Sequence, residues 1–310
     1  MSPLRIATRQ SPLALAQARV VAGLLARAGI ASELLPLLTT GDKQAAWSLE
    51  QRGGKGLFTS ELENALLNND ADLAVHSAKD LPGQNTPGLV LLGYTPRADP
   101  RDVLVRRPGP EAPATIATSA PRRRLQLARL FPAARFVEIR GNLHTRLQKI
   151  HAPPAERGSL SPLPPRRLVP PRQPAADATL LAAAGLLRLQ IMPPGSDNSP
   201  AHPGRLFTLL TLDQCVPAVG QAANAIPCRA GKPPFPAELL DAPAQAAVTL
   251  ERAFQSALGA GCHTAFAAHA SDGALRLFHE KTGLLRFPLT RDDLAHPGAT
   301  AARLLRAAGL

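Results

Sequence analysis

The sequence predicts an α/β protein with more than one domain. Short apolar runs that are typical of buried strands alternate with longer segments that begin at favourable helix-start residues. A second set of such runs begins after about residue 97. The length of 310 residues is sufficient for two or three separate cores, and the hydrophobic content of 45% is that of a globular chain.

The first predicted strand–helix unit lies at the start of the chain. Residues 4–8 predict a strand, and Ser11 followed by Pro12 favours a helix that ends near Gly29. The N-terminus of a helix offers free N–H groups and the positive end of its dipole. Arg9 beside that end could therefore complete an anion-binding corner, although an ordinary surface arginine explains the same residues.

The next segment contains a glycine-rich stretch. Residues 33–40 predict a second strand, and residues 53–58 predict a loop that leads into a helix starting at Ser60. The glycines together with Lys55 could form a lid over an anion. A flexible loop explains them equally well, and the residues alone favour the loop.

The segment from Asp72 to Pro82 has the clearest functional pattern. A short buried strand at 73–75 leads into the polar residues His76, Ser77, Lys79 and Asp80. Ligand sites in open α/β folds lie at the carboxyl ends of strands, so Asp80 falls where a site is expected. A carboxylate beside a lysine could hold or move a proton on a nitrogen-containing substrate. A turn with a weak surface ion pair is the alternative.

A second α/β domain is predicted to begin in the crossover at 97–107. Residues 114–118 predict a strand, and Ser119-Ala120-Pro121 predicts the start of a helix. The first turn of that helix carries Arg122, Arg123 and Arg124. Each cation at a helix N-terminus opposes the helix dipole at a cost of about 0.3–1 kcal/mol. Three of them together favour an anion bound between the arginines and the helix end.

Further arginines follow the later strands of this domain. A turn at Arg140 leads into a helix bearing Arg146, and a helix at 183–189 carries Arg188. Between them, residues 151–176 are too rich in proline to form regular elements. We interpret that segment as a disordered, basic surface insertion.

The C-terminal part predicts a small third domain. Residues 245–258 predict a helix that runs into a loop containing Cys262. Residues 264–270 and 275–277 predict short strands, and residues 299–308 predict a closing helix.

Charge and cysteine content restrict the function classes. The net charge of +12 favours an anionic partner, but aromatic residues make up only 4% and no nucleic-acid motif is visible. A small molecule rich in carboxylate or phosphate is therefore favoured. No apolar run approaches a membrane span, and the first thirty residues do not form a signal peptide. Cys215, Cys228 and Cys262 form neither a zinc nor a disulfide pattern, so we expect a cytoplasmic location.

A set of motifs occurs in order between residue 5 and about residue 270. They lie at residues 5–15, 53–58, 74–80, 99–102, 118–123, 140–147, 217–221, 251–253 and 261–262. Together they resemble the porphobilinogen deaminase family, also called the hydroxymethylbilane synthases. Any one of these motifs alone would be weak, but accidental similarity does not explain so many in sequence.

The resemblance implies a fold and a reaction. The fold would be two doubly wound domains similar to periplasmic binding proteins, with the active cleft between them, plus a small α+β third domain. These domains would comprise residues 1–96 with 222–242, residues 97–221, and residues 243–310. The reaction would join porphobilinogen units head to tail into the linear tetrapyrrole hydroxymethylbilane, releasing ammonia. A dipyrromethane cofactor would be attached to Cys262 through a thioether.

The resemblance also implies roles for the candidate side chains. Asp80 would be the catalytic acid that stabilises positive charge and moves protons near the pyrrole nitrogens. Cofactor contacts would come from Ser77, Lys79, Thr118, Ser119, Arg122 and Arg123. The substrate would be bound by Arg9, Ser11, Lys55, Arg140, Arg146 and Arg188. We expect a monomer that uses no metal and binds neither nucleic acid nor a membrane.

The chain departs from the family pattern at three positions. Ala120 stands where a serine is often found, Pro121 replaces a usual aliphatic residue, and Ala222 stands where glycine is common. These departures bear on rate, cofactor loading and hinge motion more than on the type of reaction.

Two other functions fit parts of the sequence. One is a binding protein on the same scaffold that holds a small anion without chemistry, because a fold alone does not determine function. The other is a nucleic-acid-binding protein, suggested by the basic composition. Asp80 and Cys262 favour the enzyme, because a binding protein needs neither.

Overall fold

The computed structural model describes residues 2–39, 60–83, 86–109, 111–150, 176–192, 204–259 and 264–310. Lys55 with its glycine-rich loop, the insertion up to residue 175, and Cys262 lie outside these residues. Within the described residues the chain forms three β-sheets with helices packed on them, which confirms the predicted α/β class.

The first sheet has six strands and is built around parallel strand–helix units. Its strands are β1 (Leu4–Arg9), β2 (Ser32–Leu37), β3 (Leu73–Ala74), β4 (His76–Ser77), β5 (Leu89–Tyr94) and β11 (Asn224–Arg229). Helices α1 (Pro12–Arg27) and α2 (Ser60–Leu67) pack on it. The strand order is β2–β1–β3–β11–β4, with β5 also paired to β11. β1 is parallel to β2 and β3, whereas β11 is antiparallel to β3, β4 and β5.

Local sequence signals explain how α1 starts and which faces of the sheet are covered. The Ser11 hydroxyl accepts a hydrogen bond from the Ala14 N–H, so the predicted helix start at Ser11 is confirmed. Successive residues of a strand point to opposite faces. Ile6 of β1 therefore belongs to a core cluster with α1, while Ala7 packs with Leu62 of α2. Helices thus cover both faces of the first sheet.

The second sheet has five strands in the order β10–β6–β9–β7–β8. They are β6 (Asp102–Arg106), β7 (Thr115–Ala117), β8 (Arg135–Val137), β9 (Ala178–Ala182) and β10 (Leu206–Leu209), with helices α3 (Pro121–Leu130), α4 (Leu143–Gln148) and α5 (Ala183–Arg188). β7 is parallel to β8 and β9, and β6 is antiparallel to β9 and β10. Val103 packs with Leu186 of α5 on one face, and Leu104 packs with Leu127 of α3 on the other.

The third sheet is an antiparallel meander near the C-terminus. Its strands are β12 (Phe266–Ser271), β13 (Ala274–His279) and β14 (Gly283–Pro288), and its helices are α6 (Ala242–Ala257), α7 (Arg291–Ala295) and α8 (Pro297–Ala307). The sequence did not predict β14 or α7. β14 is mostly half-exposed and ends in proline, and α7 has only five residues, so neither has a strong periodic signal.

The chain passes between the first and second sheets through two segments that run side by side, which we call the crossover pair (residues 95–101 and 216–223). The Thr95 N–H donates to the Asn224 carbonyl (3.0 Å), and the Ala98 N–H donates to the Ala222 carbonyl (3.3 Å). The strands change sheet near the predicted domain boundaries at 96 and 221. We propose that each sheet is the core of one domain.

No helix in the described ranges is both long and apolar enough to cross a bilayer.

Candidate active site

Asp80 lies in a single 3-10 turn, Ala78–Asp80, directly after β4. The Ala78 N–H at the start of the turn donates to the Ala223 carbonyl of the crossover pair (3.0 Å). Gly220 has a φ of +67°, and a Cβ added there would lie 2.9 Å from the Ala78 Cβ. Glycine is therefore needed at position 220 both for its backbone conformation and for this close approach. The turn that carries Asp80 thus rests directly on the crossover pair.

The carboxyl ends of β1 and β4 meet the start of α1 around an open depression. Its polar wall is formed by Arg9, Ser11, Gln17, His76, Ser77 and Asp80. Four of these residues, Arg9, Ser11, Ser77 and Asp80, are candidates from the sequence. The structure brings them together because parallel strands end at the same edge of their sheet. Arg9 and the N-terminus of α1 make this wall suitable for an anion.

Gln17 is a part of this wall that the sequence reasoning missed. Its buried amide donates to the Ser77 hydroxyl (2.8 Å) and to the side-chain oxygen of Asn224 (3.0 Å). It therefore holds Ser77 against α1 and β11. A signal was present, because Gln17 is a polar residue on the helix face that Ala14, Ala18 and Val21 bury.

His76 is buried beside the same wall. Burial, together with the nearby positive charge of Arg9, lowers the pKa of His76 to about 4. The imidazole is therefore uncharged at neutral pH, and it adds no positive charge to the depression.

Arg140 lies in the loop after β8 and Arg146 lies on helix α4, and Arg146 is within electrostatic range of Asp80. Asn142 caps α4 by accepting a hydrogen bond from the Thr145 N–H (2.9 Å), and Arg146 donates from Nε to the Gly141 carbonyl (2.8 Å). Desolvation, followed by the charges of Arg123 and Arg140, lowers the pKa of Arg146 to about 10, while Asp80 opposes this shift. We call the first sheet with its helices the first lobe and the second sheet with its helices the second lobe. Asp80 on the first lobe and Arg146 on the second are close enough to interact electrostatically, and we call the space between them the cleft.

Lys79 also links the two lobes electrostatically. Its side chain is exposed, and partial desolvation by nearby protein atoms lowers the pKa of Lys79. Arg123 and Arg122 of the second lobe lower it further, whereas Asp80 and Asp102 raise it. The cleft therefore concentrates positive charge from both lobes around the Asp80 turn.

Arg122 and Arg123 are buried and bind a carboxylate of the chain itself. Arg122 Nη1 lies 2.8 Å from Asp102 Oδ2, and Arg123 Nη2 lies 2.7 Å from Asp102 Oδ1. The Gln221 amide donates to the same carboxylate (2.9 Å), and the two arginines hold the pKa of Asp102 well below its usual range. The sequence pattern predicted an external anion beside these arginines. In the structure Asp102 occupies that role, and direct contact with a cofactor stays a prediction.

Asp102→Asn is expected to lower the free energy of unfolding by about 3–5 kcal/mol, because it leaves two buried guanidinium groups without their counter-charge. Chemical denaturation of the variant measures this loss. Asp99→Asn is the matched control, because Asp99 pairs with Arg101 in a more exposed position and its loss should cost about 1 kcal/mol or less. Equal losses for the two variants would contradict the importance of the buried pair.

The hydroxyls of Thr118 and Ser119 have partners within the chain. Thr118 Oγ1 accepts from the Ala120 N–H (3.2 Å). Ser119 Oγ donates to the Ile139 carbonyl (2.7 Å) and accepts from the Ile139 N–H (3.1 Å). Both side chains therefore fix the loops at the ends of β7 and β8. Their predicted contacts with a cofactor stay predictions.

Arg188 reaches the crossover pair. Its Nη2 donates to the Ala222 carbonyl (2.7 Å), and desolvation lowers the pKa of Arg188 to about 10. Its predicted contact with substrate stays a prediction.

Ala222 has a φ of +76°. This left-handed conformation costs a residue with a Cβ about 1–2 kcal/mol. Ala222→Gly is therefore expected to raise the free energy of unfolding by about 0.5–1 kcal/mol, after the greater chain entropy of glycine is subtracted.

Denaturation curves of the Ala222→Gly variant test this expectation. Ala223→Gly is the control, because Ala223 is also buried but is not among the residues with positive φ. The control should be destabilised, and a comparable loss in Ala222→Gly would show that no strain is stored at that position.

Cys262 and Lys55 lie outside the described residues, so their predicted roles stay predictions. The two cysteines that the structure describes, Cys215 and Cys228, are buried free thiols. Among the described residues, no group of three or more histidine, cysteine or acidic side chains is arranged to hold a metal ion.

The chain also has low similarity to two solved structures of periplasmic proteins. A periplasmic substrate-binding protein of an ABC transporter from Coxiella burnetii aligns with 78% of this chain and 93% of its own, with 13% identity and a TM-score of 0.39. The periplasmic VFT2 domain of BvgS from Bordetella pertussis aligns with 74% of this chain and 81% of its own, with 17% identity and a TM-score of 0.38.

Sequence comparisons are more specific. The family model described as "Porphobilinogen deaminase, dipyromethane cofactor binding domain" matches residues 4–235. The porphobilinogen deaminase of Syntrophotalea carbinolica is 39% identical over 281 residues, which cover 87% of this chain and 79% of the relative. The porphobilinogen deaminase of Sphingopyxis alaskensis is 40% identical over 294 residues, covering 89% and 83%. The chain therefore belongs to the porphobilinogen deaminase family.

Proposed function

We propose that this protein polymerises porphobilinogen head to tail into the linear tetrapyrrole hydroxymethylbilane, with release of ammonia. The observation that carries the proposal is the acid Asp80 in an open depression beside Arg9, with the cations Lys79 and Arg146 within electrostatic range of it. Porphobilinogen has acetate and propionate carboxylates and an aminomethyl nitrogen. A carboxyl group among cations matches both the charge of this substrate and the proton transfers that its condensation requires.

A dipyrromethane cofactor fits the charges of the cleft. Lys79 and Arg146 are partly desolvated cations whose pKa values are lowered, so carboxylates placed beside them would restore the missing counter-charge. When bound, a dipyrromethane supplies the pyrrole end to which the first substrate is joined. Cys262 would hold it covalently, with Lys79 and Ser77 on one lobe. Contacts on the second lobe would come from Thr118, Ser119, Arg122 and Arg123.

Arginines of both lobes would bind the substrate carboxylates. Guanidinium groups bind carboxylates through paired hydrogen bonds, which orient the ring as well as holding it. Arg9, with the free N–H groups at the start of α1, would act on the first lobe. Arg140, Arg146 and Arg188 would act on the second, and Lys55 would add a further charge. Desolvation of Arg146 and Arg188 strengthens their attraction for an anion.

Asp80 would hold and move the protons of the reaction. Its carboxylate would accept a hydrogen bond from the substrate pyrrole N–H and stabilise the positive charge that develops when ammonia leaves. Each addition breaks one C–N bond and forms one C–C bond. The leaving nitrogen gains one proton, and the ring carbon that forms the new bond loses one. A single carboxyl group that alternates between its two protonation states can serve both transfers.

We also propose that the protein acts as a monomer in the cytoplasm and binds no nucleic acid. The buried free thiols of Cys215 and Cys228 support a reducing compartment. Several of the arginines bind carboxylates or carbonyls within the chain. Part of the positive charge is therefore used inside the fold, which supports a protein that does not need nucleic acid as a partner.

The test is turnover by the purified, full-length protein. Incubation with porphobilinogen should release ammonia and form a linear tetrapyrrole, and the intact mass should exceed the sequence mass by one dipyrromethane. Saturable binding of porphobilinogen without ammonia would support a non-catalytic anion-binding protein instead. Tight DNA binding that falls steeply with salt, without turnover, would support the nucleic-acid alternative.

A further inference from the structure

Helix α6 of the third domain contacts the crossover pair and the loop after Asp80 through two adjacent residues. Glu251 accepts from Arg97 Nη1 (2.7 Å) and from the Gly220 N–H (2.8 Å). Arg252, the next residue, donates from Nη2 to the carbonyls of Pro82 (2.8 Å) and Gly83 (3.2 Å). One turn of α6 therefore contacts both the crossover pair, on which the Asp80 turn rests, and the residues that follow Asp80.

We propose that Arg252 is a positioning residue for Asp80, holding the exit of the turn that carries the acid. This inference rests on the proposed function. The entry of the turn is held by the hydrogen bond between the Ala78 N–H and the Ala223 carbonyl. Pro82 follows Asp80 by two residues, so the contact with Arg252 holds the other end. A carboxyl group on a short turn is directed by its backbone, and holding both ends fixes that direction.

The chemistry of the contact suits a permanent support. A guanidinium group is always protonated and has several N–H donors in a rigid plane, so Arg252 can reach two successive carbonyls at once. The side chain is half-buried, and its partners are backbone atoms of the first domain. The contact therefore does not compete for the carboxylates of a substrate.

Arg252 also lies close in the sequence to Cys262, the proposed attachment point of the cofactor. Helix α6 ends at Ala257, shortly before Cys262 in the sequence. A contact between α6 and the Asp80 loop links the element that leads to the thiol with the element that carries the acid. Misplacement of a reacting group by about 1 Å can reduce the rate about 100-fold.

Arg252→Met removes the donors while keeping the length of the side chain. We expect kcat to fall by about 10- to 100-fold, with KM within about twofold, an unchanged mass excess from the cofactor, and nearly unchanged thermal unfolding. Arg252→Lys keeps one donor head and should recover part of the loss. Arg306→Met is the matched control, because Arg306 is an exposed arginine on helix α8 of the same domain.

The decisive measurement is a double-mutant cycle with Asp80→Asn. If Arg252 acts through Asp80, adding Arg252→Met to Asp80→Asn should reduce the remaining rate little further. An equal fold-loss in both backgrounds would overturn the proposal, as would normal kcat in Arg252→Met or a loss confined to cofactor content or thermal unfolding. Failure of the proposed function is distinguishable, because the unmodified protein would then release no ammonia.

Discussion

Asp80→Asn is expected to lower kcat by about 10²–10⁴-fold, the range for loss of a positioned acid–base group. Asparagine has nearly the same shape and can still accept a hydrogen bond from a pyrrole N–H. It can neither take up a proton nor bring negative charge to a cation. The turn is held by backbone hydrogen bonds that the substitution leaves in place, and the Asp80 side chain is exposed. The fold and the covalent cofactor should therefore be retained.

Ammonia release under saturating porphobilinogen measures this loss, and intact mass verifies cofactor loading. Asp70→Asn is the control, because Asp70 is another exposed aspartate of the first lobe, outside the depression. A kcat within a few-fold of the unmodified protein would remove Asp80 from the assigned role. A pH series adds a second readout. Asp80 raises the pKa of Lys79, so Asp80→Asn should lower the pKa of Lys79, and its ammonium group should begin to lose its proton at a lower pH.

Cys262→Ser is expected to abolish both the covalent mass excess and turnover. The thioether requires a sulfur nucleophile, and a serine hydroxyl is a much weaker one at neutral pH. The folded protein should persist, because the third domain is held by a core that includes Leu250, Phe254 and Leu277. Intact mass and ammonia release measured on the same preparation test both parts of the expectation.

Cys228→Ala is the matched control for this substitution. Cys228 is buried, and burial raises the pKa of its thiol, so it is unsuited to react as a thiolate. This variant should keep the mass excess. If the excess persists in Cys262→Ser and disappears in Cys228→Ala, the attachment point is not Cys262.

From the sequence alone follow the α/β class, the order of most strands and helices, and the start of α1 at Ser11 and Pro12. These features depend on residues close together in the chain, such as a capping hydroxyl or an apolar repeat. The convergence of Arg9, Ser11, Ser77 and Asp80 was also predictable, because the carboxyl ends of parallel strands share one edge. The resemblance also implied cofactor contacts for four residues, Thr118, Ser119, Arg122 and Arg123. In the structure these side chains have partners within the chain, so those cofactor contacts stay predictions.

Only the tertiary structure decides which polar and charged side chains become partners. It assigns Asp102 to Arg122 and Arg123, brings Gln17 to Asn224, and places Arg252 against the loop after Asp80. The residues of the last two contacts are far apart in the sequence, and their polar side chains have no local pattern that names a partner. A buried charge or amide must find a partner somewhere, but which one it finds depends on how the chain crosses between its sheets.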